Sequence, residues 1–241
     1  QTPKRLKMIK KTNNIKPKDS LSSDPYVRII GTSHIASSSL DRIRKEFYEF
    51  SPDVIGVELD MPRAKALFEP SKAREISAFQ AIGLFGLFGG LFFVFGKFFQ
   101  KRLGNIVGAN PGSEMKLGIT LAKERNLPVL LLDRDITITM KRLSKKMKFK
   151  EILRIISDLI FAPFSKQKIK IDISKVPEAS MIEELISSLK KRYPTIHTVL
   201  IEERNIYMAS LIKRFRNENP EKKLLVIVGA GHEDWIKQAI S

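Results

Sequence analysis

The stretch Val27-Arg28-Ile29-Ile30-Gly31-Thr32-Ser33-His34 decides the fold of this chain. Its β-branched residues run into a glycine and then a histidine, which predicts a short β-strand followed at once by a turn. We therefore expect the imidazole of His34 to lie at the carboxyl end of a sheet strand. Glycine adopts positive φ without steric cost, so Gly31 would let the chain leave the sheet sharply.

Three further apolar runs also end in residues that can bind metal or act as acids and bases. They are Val54-Ile55-Gly56-Val57-Glu58, Val129-Leu130-Leu131-Leu132-Asp133 followed by Arg134, and Leu225-Val226-Ile227-Val228-Gly229-Ala230-Gly231-His232. Helical patterns alternate with these runs, so we predict an α/β fold with a mainly parallel β-sheet flanked by helices. The functional crevice of such a sheet lies outside the carboxyl ends of its strands, which would make His34 and His232 neighbours. A single histidine after a strand is, however, more often a turn or core residue.

The composition narrows the possible partners and excludes cysteine chemistry. The chain holds 43 Lys and Arg against 26 Asp and Glu, a formal charge of +17, which predicts attraction to phosphate backbones or acidic lipids. Without cysteine there is no disulfide framework, thiol nucleophile or thiolate zinc site.

We expect a basic flexible arm over residues 1–24 and a single α/β domain over residues 25–241. Because the chain begins with Gln1 and shows no leader pattern, we expect it to be part of a longer protein.

A Phe/Gly-rich segment over residues 79–102 predicts an apolar helical insertion. Residues 79–99 hold eight Phe and five Gly, and the apolar run over residues 81–96 is shorter than the roughly 20 residues that cross a bilayer. The Gly86-x-x-x-Gly90 spacing would let another helix approach closely. A core helix, an oligomer contact and a membrane interface all remain open, and Lys97 could sit among lipid head groups. We favour a membrane surface or a homo-oligomer, since glycine weakens a helix unless something packs against it.

Residues 141–220 are predicted to be mainly helical, and their first part is strongly basic. Ten Lys or Arg lie between Lys141 and Lys170, with sparse phenylalanines among them. Such a pattern could bind single-stranded nucleic acid by stacking, but no RNA-binding signature accompanies it. We therefore expect a solvated or lipid-facing patch and no nucleic-acid partner.

The side chains expected at the strand ends are His34, Glu58, Asp133 and His232. Imidazole and carboxylate groups suit a divalent ion such as zinc, manganese or cobalt, with positions left for water and substrate. Glu58 could then act as a general base, and Arg63 could stabilise developing negative charge. A metal-free site, in which a histidine is the base and a carboxylate orients it, fits the same residues.

Six motifs in order resemble the TraB family of pheromone-shutdown proteins. They are Gly31-Thr32-Ser33-His34, Val57-Glu58-Leu59-Asp60 with Arg63, Pro111-Gly112-Ser113-Glu114, Asp133-Arg134-Asp135-Ile136-Thr137 with Arg142, Glu203-Arg204-Asn205, and Gly229-Ala230-Gly231-His232. The family is similar to the Tiki metalloproteases and, more distantly, to erythromycin esterase and ChaN-like proteins. The resemblance implies a parallel-sheet α/β core, a site with two Gly-x-x-His motifs, and proteolytic or other hydrolytic activity.

The resemblance also assigns candidate site residues. It implies His34, His232 and Glu58 as metal ligands, and all three are among the side chains expected at the strand ends. Candidate catalytic residues on matched motifs are Glu58, Arg63, Glu114, Asp133, Arg134, Arg142 and Glu203, some of which could instead hold the site together by charge pairing. We thus expect a membrane-associated, metal-dependent hydrolase of peptides or small proteins, with its domain on the cytoplasmic side. The alternative is a non-catalytic membrane regulator that sequesters a peptide or scaffolds a complex.

Overall fold

The computed structural model describes residues 24–32, 37–69, 76–94, 112–161 and 179–241. Its strands are β1 (Val27–Thr32), β2 (Val54–Val57), β3 (Val129–Leu131) and β4 (Leu224–Gly229). Within the described ranges they form one four-stranded sheet in the order β1-β4-β2-β3, and every neighbouring pair is parallel. The predicted α/β class is therefore confirmed.

Helices cover both faces of the sheet. They are α1 (Ser37–Phe50), α2 (Met61–Phe68), α3 (Ala78–Phe85), α4 (residues 87–94), α5 (Ser113–Glu124), α6 (Ile136–Lys146), α7 (Phe149–Phe161), α8 (Ala179–Arg192), α9 (Pro194–His197), α10 (Glu203–Glu218) and α11 (Ala230–Ile240). A π-helical turn, Thr198–Glu202, joins α9 to α10. The sequence predicts a helix over residues 195–215, and the structure is helical throughout that range, with the π-helical turn as a local irregularity.

Strand β4 is the centre of the sheet. It pairs with β1 on one side, Thr32 opposite Gly229, and with β2 on the other, and all six of its residues are buried. Side chains alternate between the two faces of a strand. On one face Leu225 and Ile227 pack in a core with residues of α1 and α5, and on the other Val226 packs in a core with residues of α10 and α11.

Gly31 and Gly90, two glycines of the predicted motifs, lie where a neighbouring helix leaves little room for a side chain, and neither makes a turn that requires positive φ. The expectation of positive φ at Gly31 is wrong, since among the described glycines only Gly86 and Gly112 have positive φ. A Cβ atom on Gly31 would instead lie 2.9 Å from Glu233 Cβ, so a side chain there would require α11 or Glu233 to shift. Gly90 packs in the same way, because its Cβ would lie 2.5 Å from Ile82 Cα of α3.

The Phe/Gly-rich segment is helical where it is described. Ser77 and Gln80 form a reciprocal capping box at the start of α3, and Gly86, with φ of 78°, ends that helix. Phe85 is buried beside Met140 of α6, but Phe79 is 89% exposed. Within the described ranges, no helix has both the length and the apolar character needed to cross a membrane.

Parts of several predicted segments lie outside the described residues. These are residues 1–23 of the basic arm, residues 95–102 of the insertion, and residues 162–178 of the helical region. The described part of the helical region consists of α6 to α9, the π-helical turn and α10.

Candidate functional site

Glu58 bridges the carboxyl ends of the two central strands. It follows directly after β2, and its Oε2 accepts a hydrogen bond of 2.6 Å from the backbone N–H of Gly229 at the end of β4. Its own backbone N–H donates to the carbonyl of Ile227 at 3.1 Å. The carboxylate is thus fixed at the edge of the sheet where ligands bind in open α/β folds.

Arg204 of α10 connects the ends of β2 and β3. Its Nη2 donates to Glu58 Oε1 and, at 2.6 Å, to Asp133 Oδ2, while its Nη1 donates to the carbonyl of Leu200 at 3.1 Å. The Nε lies 3.1 Å from both oxygens of Asp133. One guanidinium therefore pairs with two buried carboxylates, an arrangement that suits the fixed fork of arginine.

His232 lies in the first turn of α11 and is buried. The sequence predicts that this last helix begins at Glu233, whereas it begins at Ala230, directly after β4. The Nδ1 of His232 lies 2.5 Å from Asn205 Oδ1, so with the amide in this orientation Nδ1 carries a proton and donates it. The Nε2 lies 3.3 Å from both Glu58 Oε1 and Arg204 Nη1.

Charge pairing keeps both carboxylates ionised. Burial alone would raise the pKa of Glu58, but the charges of His232 and Arg204 and the hydrogen bond from Gly229 hold that pKa well below its usual value. Burial likewise opposes ionisation of Asp133, whose pKa is lowered by Arg204 and Arg63. Burial would lower the pKa of Arg204, yet the two carboxylates raise it.

Asp60 anchors Arg63 at the edge of this cluster. Its Oδ1 accepts from the backbone N–H of Arg63 at 2.8 Å as the N-cap of α2, and its Oδ2 accepts from the N–H of Ile136 at the start of α6, also at 2.8 Å. The Arg63 side chain donates from Nη2 to Asp133 Oδ2. Arg63 therefore faces the crevice rather than solvent alone.

A second cluster surrounds Glu203. Arg142 donates to both of its carboxylate oxygens at 2.6 and 2.8 Å, Lys146 donates at 2.5 Å, and Arg134 donates at 3.0 Å. Burial opposes ionisation here too, but these three cations lower the pKa of Glu203 to about 2. Arg134 also donates to the carbonyl of Val199 at 2.9 Å, which ties the π-helical turn to the end of β3.

The structure thus divides the predicted site residues into groups. Glu58, Arg63, Asp133 and His232 form the first cluster with Arg204, and Arg134, Arg142 and Glu203 form the second. Glu114 is buried in the first turn of α5, where Ser113 Oγ donates to its Oε2 at 3.3 Å. His34 lies outside the described residues.

Two residues of the first cluster were not among the predicted site residues. Arg204 and Asn205 belong to a run of charged and polar residues on a long helix, which usually faces water. Here Asn205 is buried and the Arg204 side chain is 15% exposed. Their place on the matched Glu203-Arg204-Asn205 motif was the signal that could have identified them.

The first cluster offers two donor atoms for a metal ion. Two atoms bound to one tetrahedral zinc at about 2.0–2.1 Å lie about 3.3 Å apart, which is the separation of His232 Nε2 and Glu58 Oε1. The Asn205 bond to the other ring nitrogen is the kind of support that metal-binding histidines receive. However, no group of three or more His, Asp or Glu side chains in the described ranges could hold a metal, so a third protein ligand would have to come from elsewhere.

Comparisons with known proteins identify the family of this chain. The model of the TraB/PrgY/gumN family matches residues 20–233. An uncharacterized protein of Methanocaldococcus jannaschii is 34% identical over 213 residues, which cover 87% of this chain and 52% of that protein. Human TraB domain-containing protein is 25% identical over 236 residues, covering 88% of this chain and 62% of the relative. The chain therefore spans between half and two thirds of the length of these relatives, and it belongs to the TraB/PrgY/gumN family.

Proposed function

We propose that the chain carries the site of a hydrolase that cleaves peptides or small proteins. The observation that supports this most directly is the pair formed by ionised, buried Glu58 and the Nε2 of His232, 3.3 Å apart. Asn205 fixes the other ring nitrogen, so the Nε2 is held toward the carboxylate. A histidine with one nitrogen fixed and the other facing a carboxylate is equipped to accept a proton or bind a metal.

In this proposal Glu58, His232 and His34 would hold a divalent ion such as zinc, manganese or cobalt. A bound ion would polarise a substrate carbonyl and lower the pKa of a water molecule. Arg204 contacts the same atoms of Glu58 and His232, so a bound ion would have to displace these two contacts. Its guanidinium, which Asp133 and the carbonyl of Leu200 also bind, would stabilise negative charge that develops on the substrate.

The remaining charged residues would keep this geometry fixed. Arg63 and Arg204 neutralise Asp133, and the Glu203 cluster fixes the start of α10, the helix that carries Arg204 and Asn205. We assign Asp133 and the Glu203 cluster to positioning, because their hydrogen bonds are directed at other residues of the protein. Arg63 has a side chain 35% exposed, which leaves part of it accessible to a substrate.

Metal binding and peptide cleavage test the proposal separately. We expect the wild-type protein to bind one equivalent of zinc, manganese or cobalt in equilibrium dialysis, read by elemental analysis. Substitutions His34→Ala, Glu58→Gln and His232→Ala should each weaken binding by at least about tenfold. The matched control is Glu218→Gln, an exposed acid at the end of α10. Unchanged binding in all three variants would remove the metal from the proposal.

The catalytic part requires a peptide library and mass-spectrometric detection of products. Cleavage by wild type that is lost in Glu58→Gln supports the hydrolase. Cleavage that survives chelation but is lost in His232→Ala supports the metal-free version, in which His232 is the base. If wild type cleaves nothing, or Glu58→Gln cleaves equally well, the hydrolase proposal fails.

The second candidate function is a non-catalytic membrane regulator, favoured by exposed apolar residues on α3 and α4. Phe79, Leu84, Leu87 and Leu91 are each about half exposed or more. In this version the helices contact a lipid surface or a second copy of the chain, and the domain faces the cytoplasm. Binding to anionic vesicles, or dimer formation in light scattering, that is lost in Phe79→Ser with Leu87→Ser and kept in Glu58→Gln would support it.

A further inference from the structure

Asn205, which binds His232 of the first cluster, also lines a cavity. The cavity has a volume of about 440 Å³ and opens between α8, the π-helical turn and the first turns of α11. That volume lies within the range of small-ligand sites. Apolar side chains of Ile186, Ile201 and Trp235 form part of its wall. The cavity can therefore enclose an aliphatic chain.

His197 supplies a buried ring nitrogen without a hydrogen-bond partner in this cavity. It lines the cavity wall and its side chain is 6% exposed. In the described part of the chain its Nδ1 takes part in no hydrogen bond, although Glu202 Oε1 lies 3.4 Å away. Burial lowers the pKa of His197, so its imidazole is neutral at pH 7. A buried polar atom without a partner is costly. With the ring proton assigned to Nε2, Nδ1 is an acceptor that a ligand N–H would satisfy.

The acidic groups of the cavity are only partly neutralised. Glu233 is paired with Lys237 at 2.7 Å, and Glu202 with Lys190 at 3.4 Å. The Lys190 side chain is 63% exposed, so this pair is weak and easily exchanged. Asp234 also lines the cavity and has no ion pair among the residues that the structure describes. A ligand with a positive charge would find two carboxylates available.

We propose that this cavity binds an alkylammonium group, such as a lysine side chain of a peptide or a free aliphatic diamine. The aliphatic stem lies against Ile186, Ile201 and Trp235, and the ammonium group donates to His197 Nδ1 and the carboxylates of Glu202 and Asp234. If the cavity holds a basic residue of a peptide substrate, the inference rests on the proposed function. The binding of an amine in the cavity does not depend on that function, because neither Glu58 nor a metal takes part in it.

Trp235 is the only tryptophan of the chain, so its fluorescence reports directly on this cavity. We would titrate the protein, in the presence of a chelator, with N-acetyl-lysine methylamide, 1,5-diaminopentane and the uncharged analogue N-acetyl-norleucine methylamide. The two amines should give a saturable change that the analogue lacks. Tighter binding of the peptide-like amine identifies a lysine side chain, and tighter binding of the diamine identifies a free amine.

Two variants and one control make the result specific. Glu202→Gln and Asp234→Asn should each raise the dissociation constant of the amines about fivefold, while Glu218→Gln leaves it unchanged. Asp234 is exposed, so its variant should fold even if Glu202→Gln does not. Equal binding of the norleucine analogue, no saturable change with either amine, or binding unaffected by both variants would overturn the proposal. Since no hydrolysis is measured, a failed cleavage assay leaves this result standing.

Discussion

Asn205 and His232 form a buried hydrogen bond between Oδ1 and Nδ1 that fixes which ring nitrogen faces Glu58. The bond joins α10 to the first turn of α11. A leucine at position 205 has a similar size but offers no acceptor, so the Nδ1 proton of His232 would be buried without a partner.

We therefore expect Asn205→Leu to lower the free energy of unfolding by about 1–3 kcal/mol and divalent-ion affinity by about 10- to 100-fold. Asn205→Asp keeps an acceptor for the Nδ1 proton, so it should retain most of the stability and most of the divalent-ion affinity. Urea unfolding and equilibrium dialysis measure the two effects. If the leucine variant bound the ion as tightly as wild type, the bond would have no role in orienting His232.

Arg204 neutralises two buried carboxylates at once, and its loss should be severe. Arg204→Met would leave Glu58 and Asp133 buried with too little positive charge, at a cost of about 3–5 kcal/mol. Adding Asp133→Asn to this variant should recover part of that loss, because one uncompensated charge is removed. Thermal unfolding of the two single variants and the double variant gives the coupling. If the losses of stability in the two single variants simply added up in the double variant, the ion pair of Arg204 and Asp133 would contribute nothing to stability.

The lowered pKa of Glu203 predicts a dependence of stability on acid. Because the folded pKa, about 2, lies below the ordinary value of 4.5, the stabilisation is fully present above pH 4.5 and disappears as pH falls toward 2. Glu203→Gln should lower the free energy of unfolding by about 2 kcal/mol at pH 7 and by much less at pH 2.5. Urea unfolding at both pH values measures this. The exposed pair of Arg214 and Glu218 provides the control, as Glu218→Gln should change stability little at either pH.

Asp60 caps α2 and also accepts a hydrogen bond from the first N–H group of α6, so its truncation should cost more than the loss of a single cap. We expect Asp60→Ala to lower the free energy of unfolding by about 2–3 kcal/mol, since the N–H groups of Arg63 and Ile136 both lose their acceptor. Asp60→Asn retains one acceptor oxygen and should lose less. Chemical denaturation distinguishes these outcomes. A loss below about 1 kcal/mol for alanine would mean that one helix end finds another partner.

The sequence predicted the sheet better than it predicted the site. Buried parallel strands appear as continuous apolar runs, and β4, with every residue buried, is the clearest case. Because Glu58 and Asp133 directly follow such runs, their position at the carboxyl edge could be predicted as well. The placement of β4 between β1 and β2 depends on long-range packing that no local pattern records.

Arg204 and Asn205 could not be predicted from helical periodicity. Adjacent residues on a helix point about 100° apart, so a polar run normally has members on the wet face. Glu203, Arg204 and Asn205 are instead satisfied by three different partners, respectively Arg142, Asp133 and His232. Two of these partners follow strands of the sheet, and only the folded chain brings them to α10.

The π-helical turn between α9 and α10 determines the direction in which each side chain of α10 points. Such a turn holds one residue more than an α-helical turn, and it occurs most often beside functional groups. Deleting a single residue from Thr198–Glu202 would restore regular winding and rotate the start of α10 by about 100°. Asn205 would then point away from His232 and Arg204 away from Glu58, so one extra residue in a helix keeps three distant segments of the chain in a common pocket.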